Sequence, residues 1–165
     1  MMTGPAQPLE VKAGKLLVDR GKTLALAESC TGGLIAHRIT NVAGSSVYFL
    51  GGIVSYSNEA KEKLLGVRHE TLLTWGAVSE ETAIEMADGA RRRLGADIAL
   101  SVTGIAGPSG ATPGKPVGLT WIGFSTAGGH FARQFVWGND REGNKLASSN
   151  AALEILIGYL ESTGA

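Results

Sequence analysis

Apolar positions along the chain alternate between helical spacing and short contiguous or alternating runs, and these spacings predict the elements in turn. Leu9, Ala13, Leu16 and Leu17 recur three to four residues apart, which predicts a helix ending near Gly21. Residues 23–27 (TLALA) read as a short buried strand, and Leu34, Ile35 and Ile39 lay out a helix over 32–41. The run 48–56 (YFLGGIVSY) is rich in β-formers but carries Gly51-Gly52 at its centre, which predicts a bulge or a close backbone approach. Asn58 is positioned to cap a short helix through Leu65, stopped by Gly66. Ser79 before Glu80 and Glu81 marks a helix start, with Ala83, Met86, Ala87, Ala90 and Leu94 as its buried stripe. Residues 97–102 (DIALSV) form another buried strand, 118–126 and 130–137 a hairpin across Gly128-Gly129, and 143–162 a final helix. Strands interleaved with helices predict an α/β fold, a three-layer α/β/α sandwich, and the hairpin makes its sheet mixed, though mostly parallel.

The 165 residues fit one domain over 9–165, preceded by a loose tail over 1–8 that holds Gly4, Pro5 and Pro8. Lys+Arg and Asp+Glu number 15 each, and this balance argues against a nucleic-acid or membrane-surface partner held by bulk charge. The one basic run, Arg91 to Arg93, reads as cations at a helix carboxyl terminus. A single cysteine, no charged-then-apolar leader and no apolar run of about 18 residues point to a cytoplasmic protein. A homo-oligomer is compatible with the sequence.

Candidate chemistry concentrates in Glu28-Ser29-Cys30-Thr31-Gly32-Gly33, at the junction of a strand and a helix, where glycines admit a ligand close to backbone N–H groups. Residues 44–46 and 103–107 are further glycine- and hydroxyl-rich segments. All three are read as following strands, so they are expected to converge on one crevice beyond the strand ends. The phosphate-loop, dinucleotide-binding, nucleophile-elbow and S-x-x-K patterns are absent, and His37, His69 and His130 are scattered, which predicts chemistry without metal or cofactor. A hydroxyl nucleophile then needs another base, and Lys61, one turn into the helix after Tyr56-Ser57-Asn58, is the best-placed amine. Cys30 reads as a space-filling residue under the helix.

ESCTGG at 28–33, GSS at 44–46, YSNEAK at 56–61, GAVSEE at 76–81, TGIAGPSG at 103–110, KPVG at 115–118 and GNDRE at 138–142 occur in an order that resembles the CinA carboxy-terminal family over roughly residues 9–160. Two positions depart from that pattern: Ala111, where the family often has glycine, and Lys145, where a second arginine is common. The resemblance implies a stand-alone domain, without the amino-terminal domain of longer members, that hydrolyses the carboxamide of nicotinamide mononucleotide to nicotinate mononucleotide and ammonia.

It further implies Ser46, Lys61, Tyr56 and Ser29 as the catalytic group, with Ser46 the expected nucleophile and Ser29 second. Lys61 is expected to act as base, directly or through Tyr56. Glu28, Thr31, Gly32, Gly33, Thr103 and Gly104 are expected to bind substrate, with backbone N–H groups of 29–33 or 103–107 holding an oxyanion. A helix amino terminus together with Arg141 is expected to hold the 5′-phosphate. The alternative reading is a non-catalytic nucleotide-sensing or protein-interaction module linked to competence or DNA damage.

Overall fold

A computed structural model describes residues 6–164; residues 1–5 of the expected tail lie outside that range. The helix α1 (Leu9–Arg20) closes on Gly21 in a left-handed conformation, and β1 (Leu24–Glu28) and α2 (Leu34–Thr40) follow. A single 3-10 turn (Ser45–Val47) leads into β2 (Phe49–Val54), and then come α3 (Asn58–Leu65), α4 (His69–Trp75) and α5 (Glu80–Leu94). The chain continues through β3 (Ile98–Gly104), the hairpin β4 (Leu119–Thr126) and β5 (Gly129–Val136), and α6 (Arg141–Ser162). The cap of α3 is Ser57 rather than Asn58: its hydroxyl accepts from the Ala60 amide at 3.0 Å. The helix α4 has no counterpart among the expected elements, since seven residues are too few for helical spacing to show.

The strands form one sheet in the order β2-β1-β3-β4-β5. β1 pairs in parallel with β2 and β3, while β3–β4 and β4–β5 are antiparallel, so four strands share a direction and β4 alone runs against them. The register of β2 on β1 jumps from Leu24↔Phe49 to Ala25↔Gly51. This is the irregularity that the central glycines predict, with Leu50 as the extra residue.

Alternation along the strands divides the core in two. Leu24, Leu26, Ile98, Leu100, Val102, Ile122 and Phe124 pack on one face with Leu17 of α1, Ile35 and Ile39 of α2, and Leu153, Leu156 and Leu160 of α6. Ala25, Ala27 and Ala99 face the other way, against Leu65 of α3, Leu72 of α4, and Met86 and Ala90 of α5. The sandwich therefore has one side of large side chains and one of small ones. On the small side α5 lies so close that the Ser101 hydroxyl donates to the Ala83 carbonyl at 2.5 Å and a Cβ on Gly123 would collide with that same carbonyl. Among the described residues, no helix is long and apolar enough to cross a membrane.

The position of α3 is set by Gly89 of α5. A Cβ there would overlap the backbone carbonyl of Leu65, so α3 is seated against α5 by direct backbone contact. Alanine is the better helix former by about 1 kcal/mol, but displacing backbone from a packed interface costs roughly 1–3 kcal/mol. Gly89→Ala is therefore expected to lower the midpoint of chemical denaturation despite its helix propensity; an unchanged or raised midpoint would show that α3 can move away freely.

Candidate active site

In a parallel β–α–β unit, every loop that leaves a strand lies at one end of the sheet and every loop that enters a strand at the other. The structure places a cleft of about 250 Å³ at the leaving end of β1, β2 and β3. Two backbone bonds carry the parallel ladder beyond the strands: Ser29 N–H donates to the Val102 carbonyl at 3.0 Å, and Ser55 N–H to the Glu28 carbonyl at 2.9 Å. They fix Ser29 and Ser55 side by side just past the ends of β1 and β2, with Ser29 on the cleft floor and Ser55 buried beneath it.

Lys61 reaches this floor from the first turns of α3. Its Nζ donates to the Ser55 carbonyl at 2.8 Å and lies 3.0 Å from Ser29 Oγ. The side chain is 1% exposed, and among the described residues no carboxylate lies within ion-pairing distance of it. Burial disfavours the ammonium and pulls its pKa below the ordinary lysine value. A neutral amine has one lone pair, and with the Ser55 carbonyl taking an N–H, the Ser29 hydroxyl can turn its own proton onto that lone pair. The arrangement is a serine hydroxyl beside a desolvated amine, which in its neutral form can accept the serine's proton. Cys30, next in the chain, also lines the cleft, but burial, reinforced by the charge of Glu28, pushes its thiol up to about 11, far from a reactive thiolate near neutrality.

The opposite wall is the segment after β3. Thr103, Gly104, Ala106 and Gly107 line it, with the Thr103 hydroxyl donating to the Ala77 carbonyl at 2.7 Å. Among the described residues the amides of Cys30, Ala106 and Gly107 find no backbone acceptor. At the rim Arg141, the first residue of α6, donates from Nη1 to the Gly107 carbonyl at 2.7 Å and from Nη2 to the Tyr56 hydroxyl at 3.1 Å. Arg141 also borders a second hollow, lined by Pro108, Val117 and residues 139–142.

Ser29, Tyr56, Lys61, Thr103, Gly104 and Arg141 thus meet in one cleft. Glu28, Thr31, Gly32, Gly33 and Ser46 are not among the residues that line it. Glu28 is fully buried and turned to α2, accepting from the Ile35 amide on Oε1 and the Ala36 amide on Oε2, each at 3.0 Å. The helix terminus expected to attract a ligand anion holds the protein's own carboxylate. Thr31 is buried with its hydroxyl unpartnered, while Gly32 and Gly33 adopt φ of 60° and 99° to turn the chain into α2. Ser46 is exposed on the 3-10 turn that enters β2, at the far end of the sheet from Lys61. Segment 44–46 follows a helix, not a strand, so parallel topology sends it away from the cleft. Sequence reasoning missed the Ser55 carbonyl, whose role is in the backbone and leaves no side-chain signal. It also passed over Asn58 and Ser109, which line the cleft from within the YSNEAK and TGIAGPSG segments.

The buried amine has a consequence for stability. Its folded pKa lies below its unfolded one, so between those values the unfolded chain binds the extra proton; stability is lost as pH falls from about 10.4 through that window and is level below the folded pKa. Lys61→Met removes the titration. The stability difference, wild type minus variant, is expected to rise with pH from neutrality towards 10, as read from urea midpoints at several pH values. A flat difference would mean that the native amine stays charged.

The family profile described as CinA C-terminal domain matches residues 6–160. A CinA-like protein of Chloroherpeton thalassium is 56% identical over 160 residues, which cover 94% of this chain and 38% of that protein. A CinA-like protein of Kosmotoga olearia is 53% identical over 145 residues, 88% of this chain and 35% of its own. The chain therefore spans less than two-fifths of the length of these relatives. Among solved structures, a competence-damaged protein (CinA) superfamily protein from Klebsiella pneumoniae superposes with a TM-score of 0.91 at 34% identity, covering 93% of this chain and 96% of its own. The competence/damage inducible protein CihA from Agrobacterium tumefaciens gives 0.87 at 43% identity, covering 98% and 99%. With a serine and a buried lysine at the ends of its parallel strands and this likeness along almost its whole length, the chain belongs to the CinA C-terminal domain family.

Proposed function

We propose that this domain is a cytoplasmic amidohydrolase of pyridine nucleotide recycling, converting nicotinamide mononucleotide to nicotinate mononucleotide and ammonia. The observation that carries the reading is the 3.0 Å contact between Lys61 Nζ and Ser29 Oγ, with the amine desolvated and its pKa lowered. Neutral Lys61 takes the Ser29 proton as Oγ attacks the carboxamide carbon. The tetrahedral oxyanion is held by otherwise unused amides of Cys30 or of the 106–107 wall. The Lys61 ammonium then returns its proton to the departing nitrogen, the C–N bond breaks, and ammonia leaves an acyl-serine. Water, deprotonated by the same amine, releases the carboxylate and regenerates Ser29. Arg141 binds the 5′-phosphate at the rim, beside the Tyr56 hydroxyl.

The nucleophile in this mechanism is Ser29 and not Ser46, a choice supported by the contact of Ser29 Oγ with the amine, which among the described residues Ser46 does not make. The decisive assay is ammonia release from nicotinamide mononucleotide. Ser29→Ala and Lys61→Ala are each expected to lower kcat by roughly 10³-fold or more with the fold intact. Lys61→Arg should not restore turnover, since a guanidinium keeps its proton. Cys30→Ala should remain active. Loss of turnover on Ser46→Ala with Ser29→Ala still active would reverse the assignment of the nucleophile.

Phosphate recognition is tested separately. A charge-assisted hydrogen bond is worth about 1.5–3 kcal/mol, or roughly 10- to 100-fold. Arg141→Ala should therefore raise KM for nicotinamide mononucleotide by about that factor and leave turnover of nicotinamide riboside, which lacks the phosphate, unchanged. Equal loss on both substrates would assign Arg141 to the cleft wall alone.

A further inference from the structure

Three consecutive carbonyls between α4 and α5 are each taken by a side chain. The Trp75 carbonyl accepts from Lys115 Nζ at 2.5 Å, the Gly76 carbonyl from the hydroxyls of Ser79 and Thr82 at 3.0 and 2.8 Å, and the Ala77 carbonyl from the Thr103 hydroxyl at 2.7 Å. Ala77 and Val78 form part of the cleft wall. Ser79 and Thr82 tie this wall to the start of α5, its own continuation. The other two donors belong to a single loop: Thr103 stands where the chain leaves β3, and Lys115 where it returns towards β4.

That loop is closed at its root, where Ile105 N–H donates to the Leu119 carbonyl at 2.8 Å and Gly118 N–H to the Ile105 carbonyl at 2.7 Å. Further out, Thr112 and Lys115 exchange both backbone bonds, which makes the tip a narrow hairpin, so that whatever holds Lys115 holds the tip. Ser109 and Gly110, on the outgoing arm, are exposed and line the cleft; the loop is a strap along its mouth. Three side chains fasten it: Thr103 on Ala77, Arg141 on the Gly107 carbonyl, and Lys115 on Trp75. They are not equivalent. Thr103 and Gly107 are buried and hold the root, whereas residues 108–114 are exposed and Lys115 alone fastens the strap beyond them. Its amine lies directly against backbone, since a Cβ on Gly76 would come within 2.9 Å of Nζ. A cation suits the carbonyl end of a helix, and Trp75 is the last residue of α4. A single bond at the surface competes with water, so it can break and re-form while the root stays fixed.

We propose that Lys115 is a positioning residue, the latch of a strap over 108–117 whose bond to the Trp75 carbonyl opens to admit substrate and closes the cleft mouth over it. Lys115→Met keeps the length of the side chain and removes the donor, while Lys115→Arg keeps a donor and a charge. In the full chain, ¹⁵N relaxation is expected to give the Gly110 and Gly114 amides order parameters near the rigid value of about 0.85, falling below about 0.6 in Lys115→Met and restored in Lys115→Arg. With nicotinamide mononucleotide, Lys115→Met should raise KM by roughly three- to tenfold and change kcat by less than about twofold, again with recovery in Lys115→Arg. Order parameters that do not respond to Lys115→Met would overturn the proposal, whatever happens to the urea midpoint. So would a loss confined to kcat. The KM arm rests on the proposed deamidase reaction and the relaxation arm does not: a wild type that releases no ammonia would refute that reaction, and the order parameters would still decide the latch.

Discussion

The site depends on an amine held away from water without a counter-ion. Lys61 is 1% exposed, and its charge has no carboxylate to offset it among the described residues. Burying an unpaired ammonium is costly, and that cost pulls the Lys61 pKa below the ordinary lysine value. The amine is held by one carbonyl and one hydroxyl. Those two partners come from the ends of two adjacent parallel strands, so the register of β1 on β2 and the seat of α3 on α5 both bear directly on whether the amine is a base at all.

That dependence gives the small-residue side of the sandwich its purpose. Ala25, Ala27 and Ala99 contribute little apolar area each, and a core of larger side chains would bury more. They allow α5 to approach the sheet, and Gly89 lets α3 approach α5. Lys61 is thereby brought within hydrogen-bonding distance of Ser29, across 32 positions of sequence. On the other face large aliphatic side chains of α1, α2 and α6 supply most of the hydrophobic stabilisation. Stability and site geometry are to this extent divided between the two faces of one sheet.

Much of this is legible in the sequence, because strand and helix periodicities, glycine stops and serine caps are local signals. The layers, the mixed sheet, the bulge next to Gly51 and the helix bearing Lys61 all follow from them. The position of the 44–46 segment does not, because proximity across a sheet is a matter of topology: a glycine-serine turn looks the same whether the chain is leaving a strand or entering one. Glu28 illustrates a second limit. A carboxylate next to a glycine-rich turn reads as a ligand contact, yet two amides of α2 have an equal claim on it, and only the fold decides between them. The contribution of Ser55 is a backbone carbonyl, which no residue type announces.

Arg141 is tied down before any ligand arrives. A guanidinium has five N–H donors, and the bonds to the Gly107 carbonyl and the Tyr56 hydroxyl leave others free. A free arginine side chain carries about 2 kcal/mol of rotamer entropy, which an anion would have to remove on binding. Here folding has already removed much of it. If the rim takes an anion as proposed above, that anion meets a cation of fixed direction, and its affinity would be set by the fit of its oxygens to the remaining donors, with little opposing cost from ordering the arm that holds it.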